Sequence, residues 1–378
     1  MEKFNVKKTF SEIVGSLKFK LIDTYIIRKF LGTFFFCLAL ILTIAVVFDF
    51  AEKIDNFMEK EAPAKAIIFD YYMNFIPYFA MLFAHLFVFI SVIFFTSKMA
   101  VNTEIIAILN CGMSFRRMMW PYFVSALVIS LFTFLLTNFV IPKANLVRMD
   151  FEDKYYRPSS RKMTMENIHR QVFKNIYVYM GSFNPISQRG QNFTIEKFND
   201  SGRLVSKLSS YSVTFDTAKN KWTALNYFLR EIKGNEEIIT RGKTKDTTLI
   251  IKPADFSRDP GFVGTMTYRE LEDYIDLLQL QGSDELKLFL IEKHRRFASP
   301  FAVFILTLIG VSLSSRKIRG GIGMNIGIGL ILSFSYILFF QFASQFSLKG
   351  NLSPMLAMWI PNIIYSVVAM VLYKMAPK

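Results

Sequence analysis

Six long hydrophobic stretches, almost free of charged residues, dominate the chain. They cover about residues 30–48, 71–96, 118–141, 297–314, 321–346 and 354–373. A helix needs roughly 20 apolar residues to cross the ~30 Å hydrocarbon core of a bilayer, since each residue rises about 1.5 Å. The pattern therefore predicts six membrane spans, numbered span 1 to span 6 in chain order, with Pro142 ending span 3.

A different pattern lies between span 3 and span 4, where charges are frequent and short segments alternate apolar with polar residues. Candidate strands cover residues 175–181, 192–198, 204–208, 211–215, 222–232, 236–241 and 247–251. Turn residues at 199–202, 216–220 and 233–235 are typical of hairpins. Strands at such close intervals favour a small β-sandwich or jelly roll. We predict an α-helical polytopic membrane protein with six transmembrane helices and an outer β-jelly-roll domain inserted between helices 3 and 4.

The segment that follows these strands, TYRELEDYIDLLQLQ at residues 267–281, has apolar residues at helical spacing. Thr267 is its predicted N-cap, and Glu270 occupies the capping-box position. An amphipathic helix is therefore expected to lead back to span 4.

Basic residues cluster at alternate span ends, which predicts that both termini are cytoplasmic. The domain organisation follows from this topology and from the two patterns above. It comprises a cytoplasmic amphipathic segment at 1–29, spans 1–3 at 30–142, the β domain at 143–266, the connecting helix at 267–296 and spans 4–6 at 297–378. No cleavable signal is recognised at the start, so span 1 is expected to remain as an anchor.

Composition agrees with a membrane protein, because 52% of the residues are hydrophobic and 41 are Phe. The net charge of +15 is explained by topology and by lipid phosphates, and nucleic-acid binding is not expected. The two cysteines, Cys37 and Cys111, do not suggest a disulfide framework. Three scattered histidines do not suggest a metal site, and His85 within span 2 is expected to be a hydrogen-bonded bundle residue rather than a proton relay.

The chain contains no Gly-x-x-x-x-Gly-Lys-Ser/Thr loop for nucleotide phosphates. We therefore expect no catalytic residue, no metal and no cofactor bound by this chain.

The loop between spans 2 and 3, SKMAVNTEIIAILNCGMSFRRMMWP, predicts a short helix outside the bilayer. Asn102 or Thr103 is the candidate N-cap, Glu104 lies in the first turn, and Gly112 suits a left-handed position after the last turn. Ser114 is expected to cap span 3. The predicted apolar face of the helix consists of Ile105, Ile106, Ile108 and Leu109, and the return to the membrane is marked by Arg116 and Arg117. The pattern alone leaves open whether this helix docks on a partner or rests on lipid headgroups.

The order of these features resembles the coupling-helix region of the lipopolysaccharide-export permeases, the LptF/LptG family. The same plan of spans and β domain, together with four further matches, extends the resemblance over essentially the whole chain. Those matches are Leu21-Ile22-Asp23-x-Tyr25-Ile26 before span 1, Pro77 in span 2, Pro142 after span 3 and the Arg319-Gly320-Gly321 turn into span 5.

The resemblance implies a function and a set of partners. The family moves lipopolysaccharide out of the Gram-negative inner membrane onto a periplasmic jelly-roll bridge, which places the β domain of this chain in the periplasm. The partners it implies are a cytoplasmic ATPase dimer (LptB-like) that binds ATP and Mg, a second permease of the same family, a periplasmic jelly-roll protein (LptC/LptA-like), lipopolysaccharide and membrane lipids.

The resemblance also gives a coupling helix at residues 102–112 and an ATPase-coupling set of Glu104, Asn102, Arg116 and Arg117. Glu104 would pair with an arginine in a groove of the ATPase. The alternative is that Glu104 only complements the helix dipole.

Polar residues at the outer ends of spans 1, 4 and 5 are candidates for a lipid cavity. They are Asp49, Lys53, Gln341, Gln345, Lys293, Arg295 and Arg296. The alternatives are helix capping and bonds to neighbouring helices and, for the basic residues, snorkelling to ordinary lipid headgroups or pairing with Asp284, Glu285 and Glu292. Asp49 stands where G-type members of the family have a basic residue that contacts lipid phosphates, so that role does not transfer.

Gly323 and Gly327 give span 5 a small-residue face for close helix packing or, alternatively, for a moving gate. The resemblance places spans 1 and 5 around the lipid cavity.

Two other function classes stay open: a membrane scaffold whose β domain binds an envelope partner without transport, and a secondary transporter. The second has little support, since spans carry almost no charges near mid-membrane and share no clear repeat.

Overall fold

The computed structural model describes residues 20–155, 165–184, 187–216, 221–234, 236–247, 260–283, 285–316 and 321–376. Several sequence predictions lie outside these residues. They are the amphipathic segment at 1–19, most of the turn at 216–220, the end of the strand at 247–251 and the first part of the Arg319-Gly320-Gly321 turn.

Six helices in this part of the chain are long and apolar enough to cross a membrane. Their bounds are Leu21–Glu59, Ala64–Val101, Phe115–Tyr155, Leu286–Ser314, Gly321–Lys349 and Pro354–Met375. They correspond to spans 1 to 6, and the fold class predicted for the membrane part is confirmed. All six are longer than the hydrophobic stretches alone indicate, and the helix of span 4 begins at Leu286, within the segment 267–296 that was predicted as the connecting helix.

Span 3 does not end at Pro142, as the sequence predicted. A π-helical turn, Leu136–Val140, directly precedes the proline, and the helix then continues through Ile141–Tyr155. Proline has no N–H to donate and its ring clashes with the carbonyl four residues earlier in a regular α-helix. A wider turn at this point changes the local hydrogen-bond spacing, and we attribute the continuation of the helix to it.

Six antiparallel strands lie between spans 3 and 4. Their bounds are Met165–Phe173 (β1), Ile176–Asn184 (β2), Arg189–Phe198 (β3), Leu204–Asp216 (β4), Lys221–Lys233 (β5) and Glu236–Thr247 (β6). Each strand pairs with the next in chain order. This sheet fits the predicted jelly-roll-like insert. Its core contains Phe183, Phe193, Val213 and Trp222, all fully or almost fully buried.

Two details of the sheet differ from the prediction. Strand β1 was missed, and the candidate strands 204–208 and 211–215 form the single strand β4. Ser209 and Ser210 lie between the two candidate strands, and the Ser210 hydroxyl donates to the carbonyl oxygens of Ser212 and Leu225 at 2.7 and 2.5 Å. The serine is therefore satisfied within the paired strands, and no turn is needed there.

The chain divides into two compact units. One comprises residues 1–47, 79–137 and 295–378, and its core includes Phe30, Val88 and Tyr122. The other comprises residues 48–78 and 138–294 and contains the sheet and the amphipathic helix Tyr268–Gln281.

The capping box of the amphipathic helix is confirmed. The backbone N–H and the hydroxyl of Thr267 donate to the Glu270 carboxylate at 2.8 and 2.9 Å. These two bonds hold the pKa of Glu270 below its ordinary value. The buried face of the helix consists of Leu271, Ile275 and Leu278, as its spacing predicted.

Candidate functional site

The short helix between spans 2 and 3 covers Glu104–Asn110 and is called the connector helix below. Ile105 is buried among residues of spans 1, 2 and 3, and Ile108 and Leu109 are half-buried against the same cluster. Ile106 is 49% exposed. The predicted apolar face thus packs mainly on the chain's own bundle, which fixes the helix in place and leaves an outer face around Ile106 free.

The start of the connector helix is built differently from a standard N-cap. Thr103 occupies the N-cap position with a left-handed backbone, φ 64°, and its hydroxyl donates to the Asn102 carbonyl at 2.6 Å. The Asn102 amide donates instead to the Glu104 carboxylate at 3.1 Å. Gly112 adopts the predicted left-handed conformation, φ 83°, and Ser114 accepts from the Arg117 N–H and caps span 3 as predicted.

Glu104 also bonds to span 1. The Tyr25 hydroxyl donates to its second carboxylate oxygen at 3.1 Å. Each oxygen of a carboxylate accepts two hydrogen bonds, so an external donor has room beside Tyr25 and Asn102. Glu104 therefore joins the connector helix to span 1 and keeps acceptor capacity on an accessible side chain.

A second link joins span 1 to span 3. The Arg117 guanidinium makes a bidentate pair with Asp23, with N–O distances of 2.8 and 2.5 Å. The side chain of Asp23 is 2% exposed and that of Arg117 34% exposed. Asp23 also accepts from the Lys20 N–H at 2.9 Å. Three donors therefore hold the carboxylate in place at the start of span 1.

Sequence reasoning missed Asp23 and Tyr25 as functional positions and placed Arg117 among the residues that meet the ATPase. The structure directs Arg117 inward to Asp23, whereas Arg116 is exposed. The available signal was a carboxylate at the start of an apolar span, in a segment whose other charged residues, Lys20, Arg28 and Lys29, are basic. Its partner is 94 positions away and could not be identified by spacing.

Spans 2 and 5 are also joined near the connector helix. The amide of Asn325 donates to the hydroxyl of Ser97 at 2.9 Å, and both residues are buried. Asn325 was not among the predicted site residues. Its link places span 5 in contact with the last turns of span 2, directly before the connector.

The predicted lipid-cavity residues Asp49 and Lys53 contact each other. The Lys53 ammonium lies 2.6 Å from Asp49, and it also donates to the Tyr71 hydroxyl. The Tyr72 hydroxyl donates to the other Asp49 oxygen at 3.2 Å. Both charged side chains are largely buried, so the positive charge of Lys53 is balanced within this cluster.

The other candidates are arranged separately. Gln341 and Gln345 are exposed, one turn apart on span 5. Lys293 pairs at 2.8 Å with Glu272 of the amphipathic helix, a partner that the sequence did not suggest. Arg295 is exposed and Arg296 is buried. His85 is half-buried, with its Nε2 at 3.0 Å from the Ser299 carbonyl oxygen, as expected for a hydrogen-bonded bundle histidine.

The glycines of span 5 divide into two kinds. A Cβ added to Gly323 or Gly327 would meet no atom within 4 Å, whereas one added to Gly329 would lie 2.2 Å from Ile93. Within the chain, span 5 therefore packs closely against span 2 at Gly329. Gly323 and Gly327 are exposed and leave a shallow face on the outside of span 5.

Spans 1 and 5 are the least buried of the six. The buried share of the most apolar 18-residue stretch is 17% in span 1 and 22% in span 5. In the other four spans it is 33–67%. Exposed apolar side chains on these spans include Phe36, Leu40, Ile44, Ile331, Phe334 and Phe342. Among the described residues, no group of three or more His, Cys, Asp or Glu is arranged to hold a metal ion.

Comparison with known proteins agrees with these observations. A protein-family model described as lipopolysaccharide export system permease LptF/LptG matches residues 24–375, nearly the whole chain. A comparison with individual curated proteins found no match. The family is a transport component rather than a catalytic enzyme, and it implies a partnership with other Lpt components. With six candidate spans and a sheet insert, the chain is a multi-pass membrane protein that belongs to the lipopolysaccharide export permease family LptF/LptG.

Proposed function

We propose that this chain is the permease subunit of an ABC-type exporter that extracts lipopolysaccharide from the Gram-negative inner membrane. One observation carries the proposal. The least buried span, span 1, is bonded at its start to the connector helix through Tyr25 and Glu104, and to span 3 through Asp23 and Arg117. A movement of the connector helix is therefore transmitted directly to a span whose apolar surface faces out of the bundle.

The power for that movement comes from a separate cytoplasmic ATPase dimer, LptB-like, which binds ATP and Mg; this chain binds no cofactor. The docking face consists of the exposed Asn102, just before the connector helix, and the exposed Ile106 on the outer side of that helix. An arginine of the ATPase groove pairs with the remaining acceptor sites of Glu104. The bidentate pair of Asp23 with Arg117 fixes both distance and orientation, so closure of the ATPase moves spans 1 and 3 together.

Lipid binds between spans 1 and 5 of this chain and those of a second permease of the same family. Their large exposed apolar surfaces support this arrangement, because acyl chains need such a lining. Gly323 and Gly327 let the partner's helix approach span 5 closely. Gln341 and Gln345, exposed toward one end of span 5, face the sugar hydroxyls.

A positive charge for the lipid phosphates is supplied by Arg295 rather than by Lys53. The Arg295 side chain is exposed, and its guanidinium has five N–H donors, so it can bind a phosphate besides its contacts within the chain. Arg296 is buried and contributes to the structure of span 4. Charge-assisted bonds to phosphate favour the arginine fork.

The β domain lies in the periplasm and both termini lie in the cytoplasm, as the positive-inside rule predicts. Strand β6 is exposed along almost its whole length and, among the described residues, pairs with β5 alone. A free strand edge accepts another strand. Lipopolysaccharide passes from the cavity to this domain and on to a periplasmic jelly-roll protein, LptC/LptA-like, that continues the sheet.

The test is affinity purification of the tagged full-length chain in mild detergent, followed by identification and ATPase assay of the proteins that co-purify. Three variants accompany the wild type. Glu104→Ala removes the docking carboxylate, Tyr25→Phe removes only the internal bond to span 1, and Asn110→Ala is a matched change at the other end of the connector helix.

We expect the wild type and Asn110→Ala to bring down an ATPase. Glu104→Ala loses it or lowers its recovery at least tenfold, the factor for loss of one charge-assisted bond of about 1.4 kcal/mol. Tyr25→Phe retains the ATPase but stimulates it less when lipopolysaccharide is added. If no ATPase accompanies any form, the export proposal fails and a non-transporting membrane scaffold becomes the better explanation.

A further inference from the structure

A groove of about 340 Å³ lies on the surface of the membrane bundle, between spans 3, 4 and 6. It uses none of the residues assigned above to lipopolysaccharide. Span 3 contributes Arg116, Trp120 and Phe123, and the other two spans contribute Phe304, Thr307 and Tyr373. The volume is within the range of about 300–1,000 Å³ that is usual for ligand pockets.

The groove has the length of one membrane leaflet. Its lining on span 3 runs from Arg116 to Ala126, which corresponds to about 15 Å along a helix. This is half of the roughly 30 Å hydrocarbon core. The walls between these ends are apolar and aromatic, and the Phe123 and Phe304 rings meet at 5.1 Å. One acyl chain fits such a channel.

The end of the groove at Arg116 is cationic. Arg116 is exposed, and within the described part of the chain no carboxylate lies within ion-pair distance of it. Trp120 and Tyr373 line the same end, and these amphipathic rings favour the level of the headgroups. The guanidinium is thus presented at the depth where lipid phosphates lie.

A buried hydroxyl lies between the cationic end and the apolar channel. Thr307 lines the groove and is 2% exposed, and its Oγ1 has no hydrogen-bond partner among the described residues. Thr307 is one turn nearer the Arg116 end than Phe304, or about 4.5 Å along span 4. A buried hydroxyl without a partner is costly, and a lipid ester carbonyl at this depth would accept a hydrogen bond from it.

We propose that this groove binds one anionic glycerophospholipid from the leaflet that Arg116 faces, which is the cytoplasmic leaflet in the topology proposed above. Arg116 binds the phosphate, Thr307 donates to an ester carbonyl, and one acyl chain lies between spans 3 and 4. Basic pockets between spans at the cytoplasmic side are suited to such headgroups. The bound lipid packs beside the first turns of span 3, next to the Asp23–Arg117 pair that serves coupling.

The test is a lipid titration of the purified full-length chain in neutral detergent, followed by native mass spectrometry. The probes are phosphatidylglycerol, phosphatidylcholine with the same acyl chains, and glycerol 3-phosphate. The variants are Arg116→Gln and Thr307→Val, with Lys374→Gln as a matched removal of a nearby positive charge outside the groove. Ser366→Trp replaces a small side chain of the groove lining with a large one and fills the groove.

We expect one phosphatidylglycerol to bind about tenfold more tightly than phosphatidylcholine, with Arg116→Gln abolishing the difference and Lys374→Gln leaving it unchanged. Thr307→Val weakens both lipids about threefold, as for one neutral hydrogen bond. Ser366→Trp abolishes the binding of both phosphatidylglycerol and phosphatidylcholine.

Three results overturn the proposal. Equal binding of the two lipids to the wild type shows that no anion is recognised. Full displacement by glycerol 3-phosphate identifies a plain phosphate site instead of a lipid site. Displacement of phosphatidylglycerol by an equal concentration of lipopolysaccharide assigns the groove to the export substrate.

Discussion

At the residue scale, Asp23 is a carboxylate that is almost fully buried at the start of an apolar helix. Its charge is acceptable there because Arg117 supplies two parallel bonds. Removing one member of a buried ion pair costs about 3–5 kcal/mol, because the other charge is left without compensation. Because the Arg117 side chain is 34% exposed, water can enter the space it leaves and solvate part of the Asp23 charge, and we expect Arg117→Gln to lower the free energy of unfolding by about 2 kcal/mol.

The measurement is reversible denaturation of the purified chain in mixed detergent micelles, arranged as a double-mutant cycle with Asp23→Asn. We expect the two changes together to cost less than the sum of the single changes, by about 1–2 kcal/mol. Arg116→Gln, the adjacent exposed arginine, is the control and should stay within about 0.5 kcal/mol of the wild type. Strictly additive costs would mean that Asp23 and Arg117 do not interact in the membrane bundle.

Residues whose roles depend on near neighbours were predictable from the sequence. Ser114 as a cap, Gly112 as a left-handed residue and Glu270 in its capping box each follow from chemistry within one helical turn. Asp23 and Tyr25 were not predictable in the same way, because their partners are distant in the chain. Such pairing depends on how the spans pack, and hydrophobic spacing does not contain that information.

At the element scale, span 5 uses its glycines on two faces. A Cβ at Gly329 would approach the buried Ile93, whereas Gly327 is open. We expect Gly329→Leu to destabilise the chain by about 1–3 kcal/mol through overpacking. Gly327→Leu should leave the isolated chain at least as stable as the wild type, since leucine is the better helix former.

The two variants are compared in two assays. The first measures the free energy of unfolding in mixed micelles, and the second measures the recovery of a second permease on affinity purification. Gly329→Leu should lower the free energy of unfolding in the first assay. Gly327→Leu should leave that free energy unchanged or higher and should lower only the recovery of the second permease. A Gly327→Leu chain that retains the second permease would show that this face of span 5 does not form the contact between subunits.

Helices whose apolar residues follow one clear pattern were predicted well. Elements whose apolar and polar residues follow no single pattern were not. The six spans and the amphipathic helix have strong patterns over many residues. Strand β1, MENIHRQVF, alternates weakly because polar residues occupy most of it, and its assignment depends on pairing with β2. Pro142 was expected to end span 3, but the preceding π-helical turn changes the backbone spacing that makes proline incompatible with a helix.

At the scale of the whole molecule, exposure is unevenly distributed over the spans. All six are apolar, so hydropathy cannot tell which of them faces lipid, a partner or the bundle interior. The structure makes the difference visible, because spans 1 and 5 bury 17% and 22% of their most apolar stretches. Helices in a bilayer gain little from hydrophobic burial alone, so exposure by itself is compatible with bulk lipid as well as with a second permease.

Site-specific photo-crosslinking in cell membranes separates these two surroundings. A photoreactive residue is introduced at Phe36 of span 1 or at Ile331 of span 5, and at Leu131 of span 3 or Val371 of span 6 as controls; all four side chains are exposed. If spans 1 and 5 line a cavity shared with a second permease, the first two positions yield adducts with that protein and with lipopolysaccharide. Leu131 and Val371 should yield phospholipid adducts only, because ordinary bilayer surrounds them. Equal yields of permease adducts at all four positions would contradict a cavity built on spans 1 and 5, since the contact would then not depend on which span is exposed.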